Sequence, residues 1–142
     1  ACDLAVAADD SRFATSGINV GLFCSTPSVP VSRNLGRKQA MELLLTGHFI
    51  DAHTALQWGL VNRVVPASRL DQEVAELAGS IMSKSWVAVA TGKRMFYKQL
   101  ELPLESAYDY ASGVMAGNMM ADDVEEGVDA FMQKRTPVWK HQ

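Results

Sequence analysis

Apolar residues crowd the start of the chain, where residues 1–8 are interrupted only by Asp3. A short apolar run without alternation predicts a strand buried on both faces, which needs neighbours on either side. Asp9-Asp10-Ser11 is turn chemistry, and residues 12–15 predict a short second strand. From 16 to 30 the pattern loses any period. Gly17, Gly21, Pro27 and Pro30, with Ser25, Thr26 and Ser28, predict no regular element there. Yet Ile18, Val20, Leu22, Phe23, Cys24 and Val29 make the stretch apolar for a loop. Such a segment is either a binding surface or a packed connector.

Helical spacing takes over at residue 31. Leu35, Met41, Leu44 and Leu45 predict one helix over 31–45, with Gly47 just past its end. Asp51 is placed to cap a short helix over 52–58, and Gly59 stops it. Residues 60–65 are β-branched enough for a strand, which Pro66 ends. Leu70, Val74, Leu77, Ala78 and Ile81 mark an amphipathic helix, and Trp86, Val89, Ala90, Met95, Phe96 and Leu100 mark the next. Pro103 suits the first position of a third, carrying Leu104, Ala107, Tyr108, Ala111, Met115 and Met119. Asp122 and Glu125 have the spacing of a capping box for a last helix through Phe131. Acids at its start and Lys134-Arg135 at its end suit the helix dipole. The predicted strands are thus confined to residues 1–66, where they alternate with loop and two helices, and 67–142 is helical throughout.

Composition narrows the class. With 142 residues, 48% hydrophobic and 20% charged, the chain is globular rather than disordered. Its net charge of −3 disfavours a nucleic-acid partner held through phosphates. No apolar run approaches the roughly 18 residues of a membrane span. Cys2 and Cys24 make no disulfide framework, which points to a reduced intracellular compartment. Neither they nor His48, His53 and His141 stand at metal-ligand spacing, so no metal is expected. No Gly-x-Ser-x-Gly elbow, phosphate loop or dinucleotide fingerprint is present. Met115, Met119 and Met120 suggest adaptable packing or an oligomer contact. The opening strand finds no comparable set of partners later in the chain, so the sequence reads as the back half of a larger domain.

The order of segments carries a resemblance. Cys2-Asp3-Leu4-Ala5-Val6-Ala7 leads to Phe13 and then to Gly17-Ile18-Asn19-Val20-Gly21-Leu22. Ser32-Arg33-Asn34-Leu35-Gly36 follows, then Ala40-Met41-Glu42-Leu43-Leu44-Leu45-Thr46-Gly47. Next come Ala55-Leu56-Gln57-Trp58-Gly59-Leu60-Val61-Asn62-Arg63-Val64-Val65-Pro66, and finally Glu126-Gly127-Val128-Asp129-Ala130-Phe131-Met132-Gln133-Lys134-Arg135. In this order and spacing the chain resembles the enoyl-CoA hydratase/isomerase (crotonase) superfamily across almost its whole length.

The resemblance implies an α/β fold, a crotonase-like spiral of ββα turns followed by a helical C-terminal region. Residues 1–66 would close the spiral, and 67–142 would serve trimerisation and CoA contact. A homotrimer or hexamer is implied, with an acyl-CoA thioester as substrate and no separate cofactor. Hydratases of the family use two glutamates to hold and activate water. The first would precede Ala1, and the second falls on Gly17. Glycine has neither proton nor carboxylate to serve as general acid or base, so ordinary hydratase activity is not expected. Two roles in acyl-CoA and fatty-acid metabolism stay open. One is thioester chemistry by another route, such as hydrolysis, decarboxylation or an unusual hydration. The other is a non-catalytic acyl-CoA-binding or assembly subunit. Gly17→Glu is expected to raise hydration if the loop has room for the side chain. By the same resemblance Gly17, Ile18 and Val20 line the acyl pocket, and Phe131 and Lys134 contact the CoA nucleotide. For Phe131 the competing role is core packing, and for Lys134 a charge matched to the helix dipole. A bacterial cytoplasm is the first expectation for location and a mitochondrial matrix the second.

Overall fold

The computed structural model describes residues 2–140; Ala1 of the opening run and His141 lie outside them. Two compact units divide at Glu76, ten residues beyond the change of pattern at Pro66.

In the first unit β1 (Val6–Ala8) pairs in parallel with β4 (Arg63–Val65), Val6 opposite Arg63 and Ala8 opposite Val65. Asn62 lengthens this ladder at one end. Its side-chain oxygen accepts from the Ala5 N–H at 2.8 Å, and its own N–H donates to the Ala5 carbonyl at 2.8 Å. Among the described residues β1 has this single ladder neighbour rather than two. The second pair, β2 (Arg12–Phe13) with β3 (Ile50–Asp51), is antiparallel. β3 has too few residues to leave a period in the sequence, and only its partner defines it.

Helix α3 (Ala52–Trp58) packs on these strands through Ala52 and Ala55, both fully buried. Side chains this small let the helix backbone approach closely, and Ala7, Val61, Phe13 and Val64 close the cluster. Asp51 caps the helix as expected, its carboxylate accepting from the Thr54 N–H at 2.7 Å. Gly59 ends it with φ at 83°, a left-handed position that glycine takes without a Cβ penalty.

The stretch predicted to be irregular is partly regular. A 3-10 turn spans Ser16–Val20, and α1 spans Ser25–Asn34 with both prolines inside. Pro27 lies in the first turn, where a missing N–H leaves no helical bond unmade. The hydroxyls of Ser28 and Ser32 donate to the carbonyls of Ser25 and Val29, and the Asn34 amide donates to that of Pro30. These side chains supply local bonds that a composition count assigns to loops. The single helix predicted over 31–45 is also broken. Leu35 is extended, with φ −109° and ψ 155°, and α2 (Arg37–Thr46) starts anew after Gly36. Leu35, Ala40 and Leu43 form a second apolar cluster with Val31 and Trp58. Burying Leu35 between the helices is what the break achieves.

The second unit is helical: the end of α4 (Leu70–Met82), then α5 (Trp86–Gln99), α6 (Leu104–Asn118) and α7 (Asp122–Met132). Ser85 caps α5, its hydroxyl accepting from the Ala88 N–H at 3.2 Å. Pro103 sits at the cap of α6, one place before the first helical residue expected for it. The capping box at Asp122 does not form. Ala121 holds the cap position, Asp122 is already helical, and no side chain caps the end. Of the α7 carboxylates, Asp123 and Glu126 accept hydrogen bonds from the returning tail, and Asp122 lies 3.7 Å from the Lys140 ammonium.

Candidate functional site

Gly17, Ile18 and Val20 belong to the Ser16–Val20 turn, which is tied to α2. The buried Thr15 hydroxyl donates to the Leu43 carbonyl at 2.7 Å, and the Asn19 amide donates to Gly47 at 3.4 Å. Gly47, with φ at 62°, leaves space for the turn. A Cβ there would stand 2.7 Å from the Ile18 side chain and 2.8 Å from that of Asn19. The sequence shows Gly47 only as a helix stop, so its second role as a contact surface has no local signal.

Gly17 is enclosed in a comparable way. The Leu22 N–H returns to the Gly17 carbonyl at 3.0 Å, folding residues 17–22 into a closed loop. A Cβ on Gly17 would lie 2.8 Å from the Leu22 carbonyl oxygen and 2.8 Å from Cys24 Sγ, nearer than such atoms approach. The condition attached to Gly17→Glu, room for the added side chain, is therefore not met by this loop. Ile18 is half-buried, whereas Val20 is 83% exposed, so the three expected pocket residues do not share one environment. The residues that hold this turn, Thr15, Leu22, Cys24, Leu43 and Gly47, carry no carboxylate.

Phe131 and Lys134 lie in the second unit, where α7 ends. Phe131 is 80% exposed, which removes core packing as its role among the described residues. Lys134 is past the helix rather than in its last turn, with φ at 53°. Its N–H donates to the Phe131 carbonyl at 3.2 Å, and that of Arg135 donates to Ala130 at 3.0 Å. This is the paired bonding of a left-handed helix terminus, with lysine at the position glycine usually holds.

Sequence reasoning missed what fixes this terminus. Arg135 donates through both terminal nitrogens to the two Glu126 oxygens, at 2.5 and 2.9 Å. The Val138 N–H donates to the same carboxylate at 2.7 Å. The Arg135 guanidinium, with help from Val138, holds the Glu126 carboxyl down at about 2. One turn earlier, Asp123 accepts from the Ser85 hydroxyl at 2.5 Å and from the Lys140 N–H at 2.7 Å. Trp139 lies against Gly127 and donates its indole N–H to the Ser83 carbonyl at 2.8 Å. The tail is thus bonded to α7 at two carboxylates three residues apart, a spacing that puts both on one helix face. An apolar groove of about 460 Å³ opens beside it, lined by Val87, Ala88, Val124, Val128, Phe131 and Trp139 among others. Among the described residues no group of three potential metal ligands comes together, and no helix is long and apolar enough to cross a membrane.

Known proteins share this architecture. The rat protein named enoyl-CoA hydratase domain-containing protein 3, mitochondrial, is 51% identical over 140 residues, which are 99% of this chain and 47% of the relative. A crystal structure of an enoyl-CoA hydratase from Mycobacterium smegmatis matches with a TM-score of 0.94 and 56% identity, over 97% of this chain and 54% of that one. The structure of human enoyl-CoA hydratase domain-containing protein 3 matches with a TM-score of 0.92 and 50% identity, over 97% of this chain and 55% of the other. The chain spans about half the length of the relatives it matches. Its fold is the crotonase-like α/β fold of these neighbours. The sequence model of enoyl-CoA hydratase/isomerase matches residues 1–142, and the chain belongs to that family.

Proposed function

We propose that this chain is part of an acyl-CoA-handling protein that acts on a thioester without the two-glutamate hydration mechanism. The observation that carries this is the enclosure of Gly17. The position that the resemblance assigns to the second glutamate holds no side chain, has no space for one, and is surrounded by residues without a carboxylate. General acid–base assistance contributes about 10²–10⁴-fold to such reactions, so hydration should fall by a comparable factor. Membership of the family supports a CoA thioester as substrate. Phe131 and Lys134, both exposed at one helix terminus, suit contact with the CoA nucleotide: an aromatic face for the base and an ammonium for phosphate. Exposed Tyr108, Met115, Met119 and Met120 on and after α6 support a homotrimer or hexamer. The mitochondrial designation of the rat relative supports the matrix as compartment.

The test uses full-length protein titrated calorimetrically with CoA esters and assayed with enoyl-, malonyl- and hydroxyacyl-CoA. Binding with crotonyl-CoA hydration at least a hundredfold below a two-glutamate hydratase is the expected result. Absence of binding at millimolar ligand would falsify it, and so would hydration at ordinary rates. The same missing carboxylate favours a second reading, a non-catalytic acyl-CoA-binding or assembly subunit. Binding without turnover of any ester in the panel would select it.

A further inference from the structure

Lysine in the left-handed region costs free energy that glycine would not, and such a residue persists only where its surroundings impose it. At Lys134 the imposing contacts are identifiable. The Arg135 N–H closes the turn onto Ala130, and the Arg135 guanidinium is gripped by both oxygens of Glu126. Gln133 Oε1 accepts from Arg135 Nε at 2.8 Å, so the residues on both sides of Lys134 are joined to each other. Beyond them the Val138 N–H ties the chain back to Glu126. A two-nitrogen, two-oxygen ion pair has a defined plane as well as a defined distance, and therefore orients the backbone that carries it.

We infer that Glu126 is a positioning residue for the CoA nucleotide, its grip on Arg135 holding Lys134 in the left-handed turn beside Phe131. This rests on the proposed nucleotide contact of Phe131 and Lys134. Glu126 touches no ligand itself; it determines where the Lys134 ammonium can reach. Without the pair the terminus can relax toward ordinary backbone angles, and ligand must then re-order it on binding. Because Arg135 keeps the Glu126 carboxylate charged down to about pH 2, the grip is complete at physiological pH.

The experiment compares full-length wild type with Glu126→Gln, Glu126→Asp, Lys134→Ala and Phe131→Ala. Each is titrated with CoA and with pantetheine, which lacks the nucleotide, by ligand-observed NMR. Glu126→Gln is expected to weaken CoA about tenfold, equivalent to re-ordering one long side chain and its turn, and to leave pantetheine unchanged. Glu126→Asp keeps the charge but shortens the reach by one carbon, and it should show a smaller loss of the same selectivity. If Glu126→Gln does not fold, Glu126→Asp decides alone. Wild-type CoA affinity in a folded Glu126 variant overturns the inference, and so does an equal loss for both ligands, which marks a merely structural role. If Lys134→Ala and Phe131→Ala both leave CoA affinity intact, the nucleotide contact itself is wrong. If they weaken CoA while the Glu126 variants do not, only the positioning role fails.

Discussion

At the scale of single residues, two side-chain environments carry most of the consequences. Gly17 meets a backbone oxygen and a thiol where its Cβ would be, and the backbone oxygen cannot be moved without reshaping the loop. Gly17→Ala should therefore cost about 1–3 kcal/mol of stability, the usual penalty for overpacking, read as a lowered denaturant midpoint. Gly17→Glu should destabilise at least as much and bring no gain in crotonyl-CoA hydration; a gain would show that the loop opens readily. The second residue is Glu126, whose folded carboxyl sits at about 2 against an ordinary 4.5. The folded state thus favours the charged form, so the stability it confers is whole above pH 4.5 and lost as pH falls toward 2. The gap in melting temperature between wild type and Glu126→Gln should be constant from pH 8 to 5 and close between pH 4.5 and 2. A gap unchanged at pH 2 would remove the ion pair as its source. Of these two environments the sequence displayed only half of one. Gly17 is conspicuous by its position in the family pattern, but the partners that enclose it come from folding. Glu126 and Arg135 stand nine apart, a spacing that no helical rule pairs, because a left-handed turn lies between them.

At the scale of elements, the periodic pattern did well wherever local rules act alone. The Asp51 cap, the Gly47 and Gly59 stops and the extents of α3, α4 and α5 were all legible, since each depends on residues within one or two turns. It failed where a distant contact overrides propensity. Leu35 interrupts a helical spacing because the cluster with Ala40, Leu43 and Trp58 offers it burial. Two prolines, two serines and a threonine concealed the start of α1, where the Ser28 and Ser32 hydroxyls bond back to carbonyls of the same helix. Asp122 had the sequence of a cap but lost the position to Ala121, while Asp123 turned to Ser85. That last contact joins the start of α5 to the start of α7, and Ser85 serves it twice, as cap and as donor. Ser85→Ala removes both bonds and leaves a buried carboxylate with one fewer donor. A loss of about 2 kcal/mol is expected in chemical denaturation, more than a cap alone accounts for. Ser85→Thr, which keeps the hydroxyl, should recover most of it.

At the scale of the whole molecule, the described core is thin. Seven of its eleven buried apolar residues are alanines, and no large side chain is fully buried. Large residues instead face outward, among them Leu104, Met120 and Phe131, each at least 76% exposed. The 142-residue polypeptide expressed alone should therefore bind a hydrophobic dye and melt broadly, whereas full-length protein should melt sharply without dye. A sharp, dye-free transition for the 142 residues would mean that alanine packing suffices. One earlier feature reaches beyond any single protein. Lysine at 134 occupies backbone angles that glycine or asparagine would hold more easily. Neutral drift therefore runs away from lysine at this site, and under the proposed nucleotide contact selection for the ammonium opposes it. If that contact holds, the residue should act as a record of use across the lineage: descendants that keep lysine should bind CoA more tightly than pantetheine, and those that have relaxed to glycine should lose that difference.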